Sequence, residues 1–418
     1  MTGSGPPLRR GLRLSGVSLI IVATAIAGVA SYLVTWLVPN QVGLAQYTLF
    51  AVFWSFLYLL VGTLSGIQQE VTRATRPITG LPGTPRVAVF AGLVAAMVLA
   101  LVLGSAPTWV FAIFPIGGWG LVLPLAVGAA SYVFVAVLAG SLYGIAQWQP
   151  IALMIVVDSI LRLLGIGIVL AFTHDIVALA WAAAIPFPGA LLVLWIFIRH
   201  SIVGRSELDV GYRRLTWNVA RTTLAAAATS AMVSGLPFLI GITSPSQPRA
   251  LVGTLILSIT LVRAPLIIVA MSLQSYFIVT FRAQAHDFWP TFLRFQALVL
   301  GGGFVLASLG WLIGPAVFGL LFRGQVVLEG WLVAVLVISS TLVAALCISA
   351  PAVLARGRHW PYAAGWVTAA IFTVLSLVLP LDLTARIVVA LLVGPLAGLV
   401  IHGLSLAVSK EQLTVDEP

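Results

Sequence analysis

Long apolar stretches separated by short polar turns run through almost the whole chain. An α-helix needs about 20 mostly apolar residues to cross roughly 30 Å of hydrocarbon, and twelve stretches meet that length. The pattern therefore predicts an all-α polytopic membrane protein with about 12 transmembrane helices. The predicted spans are Gly16–Val38, Tyr47–Ile67, Arg86–Ser105, Trp119–Tyr143, Ile151–Thr173, Ile176–Ile198, Val219–Thr243, Leu251–Phe281, Thr291–Phe318, Trp331–Leu354, Pro361–Leu379 and Leu383–Val408.

The composition excludes a soluble protein. Of the 418 residues, 61% are apolar and 8% are charged, about a third of the ~25% that is usual in a globular domain. Lipid is therefore the expected solvent. The single cysteine, Cys347, lies in an apolar run, so neither an intramolecular disulfide nor a cysteine metal cluster is expected.

The positive charges follow one side of the predicted topology. With the N-terminus inside, sixteen Arg and Lys residues lie at the cytoplasmic side, and only Arg249, Arg323 and Arg386 lie outside. Cytoplasmic loops carry the excess of Arg and Lys, so both termini are predicted to be cytoplasmic. This topology accounts for the net charge of +10 without a nucleic-acid partner.

The longest polar segment separates the spans into two sets of six. A short echo favours an internal duplication, because Val71–Arg73 ends span two and the similar Val279–Arg282 ends span eight. Transporters built from such repeats bind their substrate between the halves. The predicted divisions are a cytoplasmic N-terminus (1–15), an N-terminal six-helix bundle (16–198), a cytoplasmic linker (199–218), a C-terminal six-helix bundle (219–408) and a cytoplasmic C-terminus (409–418).

Charged residues within spans are the first candidates for a function. Asp158 and Arg162 are four residues apart in span five and therefore share one helix face. Arg162 lies ~18 Å along this span, near the middle of the bilayer, where a charge costs ~2.5–3.5 kcal/mol on insertion scales. Two interpretations are open: an ion pair that satisfies itself against a neighbouring helix, or two groups that face a hydrated central cavity.

Arg263 is a second deep cation, in span eight of the other half. It lies ~18 Å into its span and has no acidic residue within one helical turn. Two midplane arginines from opposite halves suggest an anionic ligand, because guanidinium keeps its charge and binds phosphate oxygens bidentately. The sequence therefore predicts a substrate-binding cavity lined by Asp158, Arg162 and Arg263.

The inner end of span two is polar and carries both signs of charge in Gln69, Glu70, Arg73 and Arg76. One interpretation is a cytoplasmic mouth where these arginines receive acidic headgroups, with Arg221 of span seven at the same mouth. The alternative is an interfacial helix end whose arginines snorkel to the headgroup level.

Enzymatic motifs are missing from the sequence. The loop Pro39–Gln46 has no carboxylate of the kind that glycosyltransferases acting on lipid phosphates need. The histidines are scattered rather than clustered as metal ligands, and no Walker loop occurs. We therefore predict a protein that is not an enzyme, with no cofactor and no bound metal.

Three segments carry a resemblance to a known family. They are GIQQEVTR (Gly66–Arg73) at the end of span two, GSLYGIAQW (Gly140–Trp148) between spans four and five, and Asp158 with Arg162 inside span five. Together with the twelve-helix plan, they resemble the polysaccharide and oligosaccharide-lipid flippases of the multidrug/oligosaccharidyl-lipid/polysaccharide (MOP) exporter superfamily.

The resemblance implies an alternating-access flippase with two six-helix bundles and a cationic central cavity. Such a protein moves an undecaprenyl- or polyprenyl-diphosphate-linked glycan from the inner to the outer leaflet of the bacterial plasma membrane. By matching position, Arg162 and Arg263 would line the cavity, and Glu70 and Arg73 would lie at its mouth. The first span, Gly16–Val38, lacks the acid of the cation-coupled drug exporters, which argues against sodium or proton coupling through that helix.

We therefore expect a flippase of a lipid-linked anionic glycan, with membrane lipids and the glycosyltransferases or polymerase of the same pathway as its partners. A multidrug or small-molecule exporter of the same fold is one alternative, and it should have a more apolar or acidic cavity. A membrane-embedded enzyme or a noncatalytic partner in glycan assembly is another, and a buried acid and base facing an outward pocket would indicate the enzyme.

Overall fold

A computed structural model describes most of the chain as a bundle of long helices. The described residues are 16–77, 86–116, 118–202, 206–208, 211–284 and 286–415. Several predicted segments lie outside the described residues: the N-terminus 1–15, residues 203–205, 209 and 210 of the linker 199–218, and residues 416–418 of the C-terminus.

Fifteen helices and two short strands make up the described part of the chain. In chain order they are α1 (Gly16–Val42), α2 (Leu44–Ala74), β1 (Thr75–Pro77), α3 (Arg86–Ile113), α4 (Gly118–Gly144), α5 (Trp148–Phe172), α6 (Ile176–Ala184), α7 (Pro186–Ile202), β2 (Ser206–Leu208), α8 (Tyr212–Val233), α9 (Leu236–Thr243), α10 (Arg249–Ser272), α11 (Gln274–Ala283), α12 (Phe288–Leu321), α13 (Gly330–Ala355), α14 (His359–Leu377) and α15 (Leu383–Val415).

The predicted all-α, membrane-spanning architecture is confirmed. Among the described residues, eleven helical segments are long and apolar enough to cross a membrane, or twelve if α8 and α9 are counted as one bent span. These two helices replace the predicted straight span Val219–Thr243 and are bent by more than 40°. Pro237 lies in the first turn of α9, where a proline has no N–H to continue the preceding helix.

The predicted span Leu251–Phe281 is also divided, into α10 and the short helix α11. With 24 residues, α10 alone is long enough to cross about 30 Å of hydrocarbon at 1.5 Å per residue. The ten residues of α11 form a separate helix, which begins at Gln274 after the turn at Leu273.

The helices differ in how much of their surface is buried. α4 and α13 lie mostly inside the bundle, whereas α1, α3 and α12 are mostly exposed. The exposed side chains are large and apolar, as Leu93 (68% exposed) and Phe304 (72% exposed) illustrate. Lipid tails are as apolar as these side chains, so α1, α3 and α12 provide much of the lipid-facing surface.

Helix α2 contacts both predicted bundles. It packs against α4 of the N-terminal bundle and against α8 and α10 of the C-terminal bundle. Phe53 and Leu57 of α2 belong to the same apolar cluster as Ile240 of α9 and Ile256 of α10. The two helices that carry the deep charges, α5 and α10, both pack against α1.

A two-stranded antiparallel sheet lies next to the end of α2. β1 pairs with β2, and Arg76 lies opposite Glu207 in the register. The sequence did not predict this sheet, because strands of three residues are too short to show an alternating pattern. The sheet ties the end of α2 to the segment that follows α7.

Candidate binding cavity

Two adjoining pockets lie between α1, α2 and α10, with volumes of about 410 and 370 Å³. The first, called here the Arg162 pocket, is lined mainly by α1, α2, α4, α5 and α7. The second, the Arg263 pocket, is lined mainly by α1, α2, α9 and α10. Apolar atoms form most of both linings. The residues shared by the two pockets are Ser31, Val34, Trp54, Tyr58 and Ile268.

Asp158 and Arg162 form a bidentate ion pair on α5. Arg162 Nη1 donates to Asp158 Oδ2 at 2.7 Å, and Nη2 donates to Oδ1 at 2.9 Å. The Nε of Arg162 donates to the backbone carbonyl of Ala183 at 3.3 Å. Both side chains line the Arg162 pocket, where the Asp158 side chain is 24% exposed and the Arg162 side chain 7%. The pair is therefore satisfied by groups of its own half, as in the first interpretation. It also faces a cavity, as in the second interpretation.

Two aromatic rings hold the guanidinium of Arg162. Its Cζ lies 4.7 Å from the ring centroid of Phe187 on α7 and 5.6 Å from that of Tyr58 on α2. Such contacts add a cation–π attraction of about 0.5–2 kcal/mol. The charge of Arg162 is thus compensated by a carboxylate and by two aromatic faces.

Arg263 on α10 has none of these partners in the described part of the chain. The residue is 5% exposed and lines the Arg263 pocket. Among the described residues it forms no ion pair, and its buried Nε has no hydrogen-bond partner. An uncompensated guanidinium at this depth is costly, and an anion in the pocket would offset that cost.

An aromatic wall on α2 separates the two pockets and faces both of them. Trp54 and Tyr58 are four residues apart, so their side chains lie on one helix face. Their ring centroids are 5.1 Å apart and the rings are stacked at 24°. The wall gives the cavity a flat apolar surface between the compensated and the uncompensated arginine.

The residues of the predicted mouth cluster around the contact of α2 with α8. Glu70 is buried, and both Arg73 and Nδ2 of Asn218 donate hydrogen bonds to it, the latter at 2.9 Å. Gln69, Arg73, Arg76 and Arg221 are exposed, with Arg221 on α8 and Arg76 on β1. These five residues line neither of the two pockets, and their neighbour Gln68 is the α2 residue through which the Arg162 pocket reaches this end.

At the opposite end of α2, the same two halves are also bonded to each other. Trp36 Nε1 of α1 donates to the carbonyl of Leu321 at the end of α12, at 3.1 Å. Thr48 Oγ1 of α2 donates to the carbonyl of Arg249 at the start of α10, at 2.7 Å. Contacts across the predicted division therefore exist at both ends of the cavity.

The aromatic partners of Arg162 and the packing role of Gly140 and Gly144 were not predicted from the sequence. The four-residue spacing of Trp54 and Tyr58 was the only sequence feature that pointed to the aromatic wall. Gly140 and Gly144 allow α4 to approach the end of α2: a Cβ on Gly140 would lie 2.8 Å from the carbonyl oxygen of Gln68. The GSLYGIAQW segment therefore contributes helix packing rather than a ligand contact at these two positions.

Comparisons with known proteins were made on sequence and on structure. No protein-family model matches the chain. "Uncharacterized protein Rv1510" of Mycobacterium tuberculosis is 32% identical over 414 residues, which cover 96% of this chain and 93% of the relative. "Uncharacterized protein Rv3630" of the same organism is 28% identical over 403 residues, covering 94% of this chain and 93% of the relative.

Solved structures share the fold at low sequence identity. An inward-facing multidrug resistance MATE family transporter of the MOP superfamily has a TM-score of 0.67 at 15% identity, covering 94% of this chain and 99% of that one. An outward-facing structure of such a transporter has a TM-score of 0.61 at 15% identity, with coverage of 96% and 98%. A MOP superfamily transporter from Pyrococcus furiosus, described by a reverse polarity of its binding pocket that suggests a different function, has a TM-score of 0.52 at 16% identity and the same coverage.

Both comparisons cover nearly the whole chain. Identity of 32% over nearly the whole chain shows the sequence family, whereas the solved structures show the fold alone. The chain therefore belongs to the same family as the mycobacterial protein Rv1510 and is a multi-pass membrane protein with the fold of the MATE transporters of the MOP superfamily.

Proposed function

We propose that this chain is a transporter that flips a polyprenyl-diphosphate-linked glycan across the bacterial plasma membrane by alternating access. The observation that carries the proposal is the guanidinium of Arg263, which has no ion-pair partner among the described residues and lines a pocket between the two predicted halves. A diphosphate diester carries two negative charges that do not titrate near neutral pH, and its oxygens match the guanidinium fork.

The apolar character of the lining fits the lipid part of such a substrate. Ile268 lines both pockets and is 41% exposed. A polyprenyl chain could stay in the bilayer while the diphosphate enters the cavity, which avoids moving the whole tail through the protein.

The contacts at the two ends of the cavity support an alternating mechanism. The Glu70–Asn218 hydrogen bond closes the α2–α8 contact at the predicted cytoplasmic end, and the Trp36–Leu321 bond joins α1 to α12 at the other end. In this mechanism, binding of the diphosphate shifts the balance between states in which one or the other end is open. The similarity to both inward- and outward-facing transporter structures fits a fold with two such states.

Export of a multidrug or other small molecule is the second candidate function. The mostly apolar pockets and the Trp54–Tyr58 wall would suit a flat organic molecule, and two of the similar structures are multidrug transporters. A cationic drug would be repelled by Arg263. We therefore rank an anionic substrate first, and the Pyrococcus structure is a precedent for pocket polarity that differs within this fold.

Flipping in proteoliposomes tests the proposal. The probe is a fluorescent polyprenyl-diphosphate-linked disaccharide, whose inner-leaflet fraction is measured by its protection from a membrane-impermeant quencher. Wild type should accelerate the loss of protection, and Arg263→Gln should slow it by at least about tenfold, equivalent to about 1.4 kcal/mol.

Arg249→Gln is the matched control, because Arg249 lies on the same helix but lines neither pocket. It should retain the wild-type rate. Equal rates for wild type and Arg263→Gln would contradict the proposal, as would transport of a cationic dye without movement of the glycan probe.

A further inference from the structure

Three tyrosines and a glutamine line the Arg162 pocket beside the ion pair. They are Tyr58 and Gln68 from α2 and Tyr132 and Tyr143 from α4. Within the part of the chain that the structure describes, none of these four side chains forms a hydrogen bond. Their hydroxyl and amide groups are neutral, and each of them both donates and accepts hydrogen bonds. The pocket therefore offers a ligand several neutral hydrogen-bonding groups.

The carboxylate of Asp158 adds acceptors to this set. An ionised carboxylate has about four lone-pair sites on its two oxygens. The hydrogen bonds from Arg162 use one site on each oxygen, at 2.7 and 2.9 Å. The Asp158 side chain is 24% exposed and lines the pocket, so it has sites left for a ligand. A ligand group that binds at these sites must donate a hydrogen bond.

This combination of groups disfavours both an anion and a cation in the Arg162 pocket. The oxygens of a diphosphate diester only accept hydrogen bonds, so they have nothing to donate to Asp158. A cation gains little, because Arg162 already neutralises Asp158, the only carboxylate among the described residues that line this pocket. A hydroxyl group is neutral and both donates and accepts, which matches Asp158, Tyr132 and Gln68 at once. The pocket is therefore best matched by a neutral group that carries several hydroxyls.

The size and the aromatic lining of the pocket also fit a sugar ring. Its volume of about 410 Å³ lies within the ~300–1,000 Å³ that is usual for small-molecule sites. A pyranose carries hydroxyls around its edge and C–H groups on its two faces. The rings of Trp54, Tyr58 and Phe187 line the pocket, and aromatic faces attract such weakly positive hydrogens. Polar and apolar parts of a sugar therefore both have partners here.

The position of the pocket agrees with the order of the parts in a lipid-linked glycan. The first sugar of such a glycan is bonded directly to the diphosphate, so the two must occupy neighbouring sites. The Arg162 pocket and the Arg263 pocket share the wall of Trp54 and Tyr58. A diphosphate at Arg263 therefore has its sugar next to the Arg162 pocket. From there the pocket extends to Gln68, near the predicted cytoplasmic mouth.

We infer that the Arg162 pocket is a subsite for the sugar that is bonded to the diphosphate. Asp158 accepts a hydrogen bond from one sugar hydroxyl, while Arg162 keeps both of its hydrogen bonds to Asp158. Tyr132 and Gln68 bind further hydroxyls. This inference rests on the proposed function, since it takes the diphosphate to lie at Arg263. It assigns the charge of the substrate to one pocket and its sugar to the other.

Two probes that differ only in the sugar test the inference by calorimetry on the purified full chain in detergent. They are P1-farnesyl-P2-glucosyl diphosphate and P1-farnesyl-P2-methyl diphosphate, which have the same lipid and the same two charges. Wild type should bind the glucosyl probe about tenfold more tightly, because the hydroxyls of the sugar form hydrogen bonds that the methyl group cannot.

Two variants each remove one neutral hydrogen-bonding group of the subsite. Tyr132→Phe removes a hydroxyl and keeps the ring, which packs against Phe187 at 5.5 Å between centroids. Gln68→Leu removes an amide. Each should weaken binding of the glucosyl probe about threefold and leave the affinity for the methyl probe unchanged. Tyr276→Phe is the matched control, because Tyr276 is exposed on α11 and lines neither pocket.

The outcomes separate this inference from the proposed function. Arg263→Gln should weaken both probes by the same factor, since both contain the diphosphate. Equal affinity of wild type for the two probes, with both weakened in Arg263→Gln, overturns the sugar subsite and leaves the proposed function intact. That comparison needs no variant of the subsite, so it stands even if Tyr132→Phe does not fold.

Two further results would count against the inference. A preference for the glucosyl probe that is unchanged in both Tyr132→Phe and Gln68→Leu places the sugar outside the Arg162 pocket and overturns the subsite. Absence of binding of either probe, or binding of both that is unchanged in Arg263→Gln, overturns the proposed function and this inference with it.

Discussion

Arg162 and Arg263 make two contrasting regions from the same residue at the same position along a helix. Each lies fourteen residues after the first residue of a helix of similar length, α5 or α10, and each is buried at the edge of a pocket. Arg162 is held by a carboxylate, a carbonyl and two rings, whereas the Nε of Arg263 has no partner among the described residues. Position along the helix is therefore not enough to tell a structural cation from a ligand-binding one.

The difference lies in whether the fold has already compensated the charge. In the Arg162 pocket, the net charge of the pair is zero, so its attraction for an anion is weak. In the Arg263 pocket, the guanidinium of Arg263 is available to bind an anionic ligand. Stability should depend mainly on Arg162, and ligand binding mainly on Arg263.

The largest expected effect is on stability, through Arg162→Gln. The change leaves Asp158 as an uncompensated carboxylate, and breaking a buried pair in this way costs about 3–5 kcal/mol. We expect the lower end, because a quarter of the Asp158 side chain is exposed. Thermal melting in detergent measures it. The double variant Asp158→Asn/Arg162→Gln should recover most of the loss, and a double variant as unstable as the single one would show that the pair is not the cause.

Arg263→Gln should show the reverse pattern, with a loss of binding and no loss of stability. A charge-assisted hydrogen bond to the diphosphate contributes about 1.5–3 kcal/mol, so the affinity for P1-farnesyl-P2-glucosyl diphosphate should fall about thirtyfold. The melting temperature should stay equal or rise, because a buried unpaired charge is removed. A melting temperature lowered as far as in Arg162→Gln would remove the contrast between the two regions.

The smallest effect concerns the ring that lies over Arg162. Phe187→Leu removes a cation–π contact of about 1 kcal/mol in addition to the cost of the smaller side chain. Phe53→Leu is the control for side-chain size, because Phe53 is similarly buried in the same apolar cluster but lies over no cation among the described residues. Phe187→Leu should therefore melt at a lower temperature than Phe53→Leu, and equal melting would mean that the ring contributes only apolar packing.

The sequence was sufficient to predict the fold class, because spans of about 20 apolar residues have few alternatives in a bilayer. It was less accurate where a turn interrupts a span. One such turn lies between α8 and α9, just before Pro237, and the other at Leu273 between α10 and α11. The strands β1 and β2 were missed because three residues carry no periodic signal.

For the candidate site, the sequence predicted the positions of the deep charged residues but not all of the partners that each one contacts. The spacing of Asp158 and Arg162 was enough to predict a shared helix face, and the bidentate pair follows from it. Phe187 and Asn218 come from distant parts of the chain, so a single sequence gave no sign that they would contact Arg162 and Glu70. Local spacing therefore supplies the carboxylate partner of Arg162, and tertiary packing supplies its aromatic partners.

Arg263 is proposed to bind the negatively charged part of a lipid-linked substrate. Electron cryo-microscopy of the full chain with P1-farnesyl-P2-glucosyl diphosphate would locate that part. We expect density for the diphosphate in the Arg263 pocket, with oxygens at roughly 2.7–2.9 Å from the guanidinium nitrogens of Arg263. Diphosphate density confined to the exposed arginines Arg73, Arg76 and Arg221, with the Arg263 pocket empty, would contradict it.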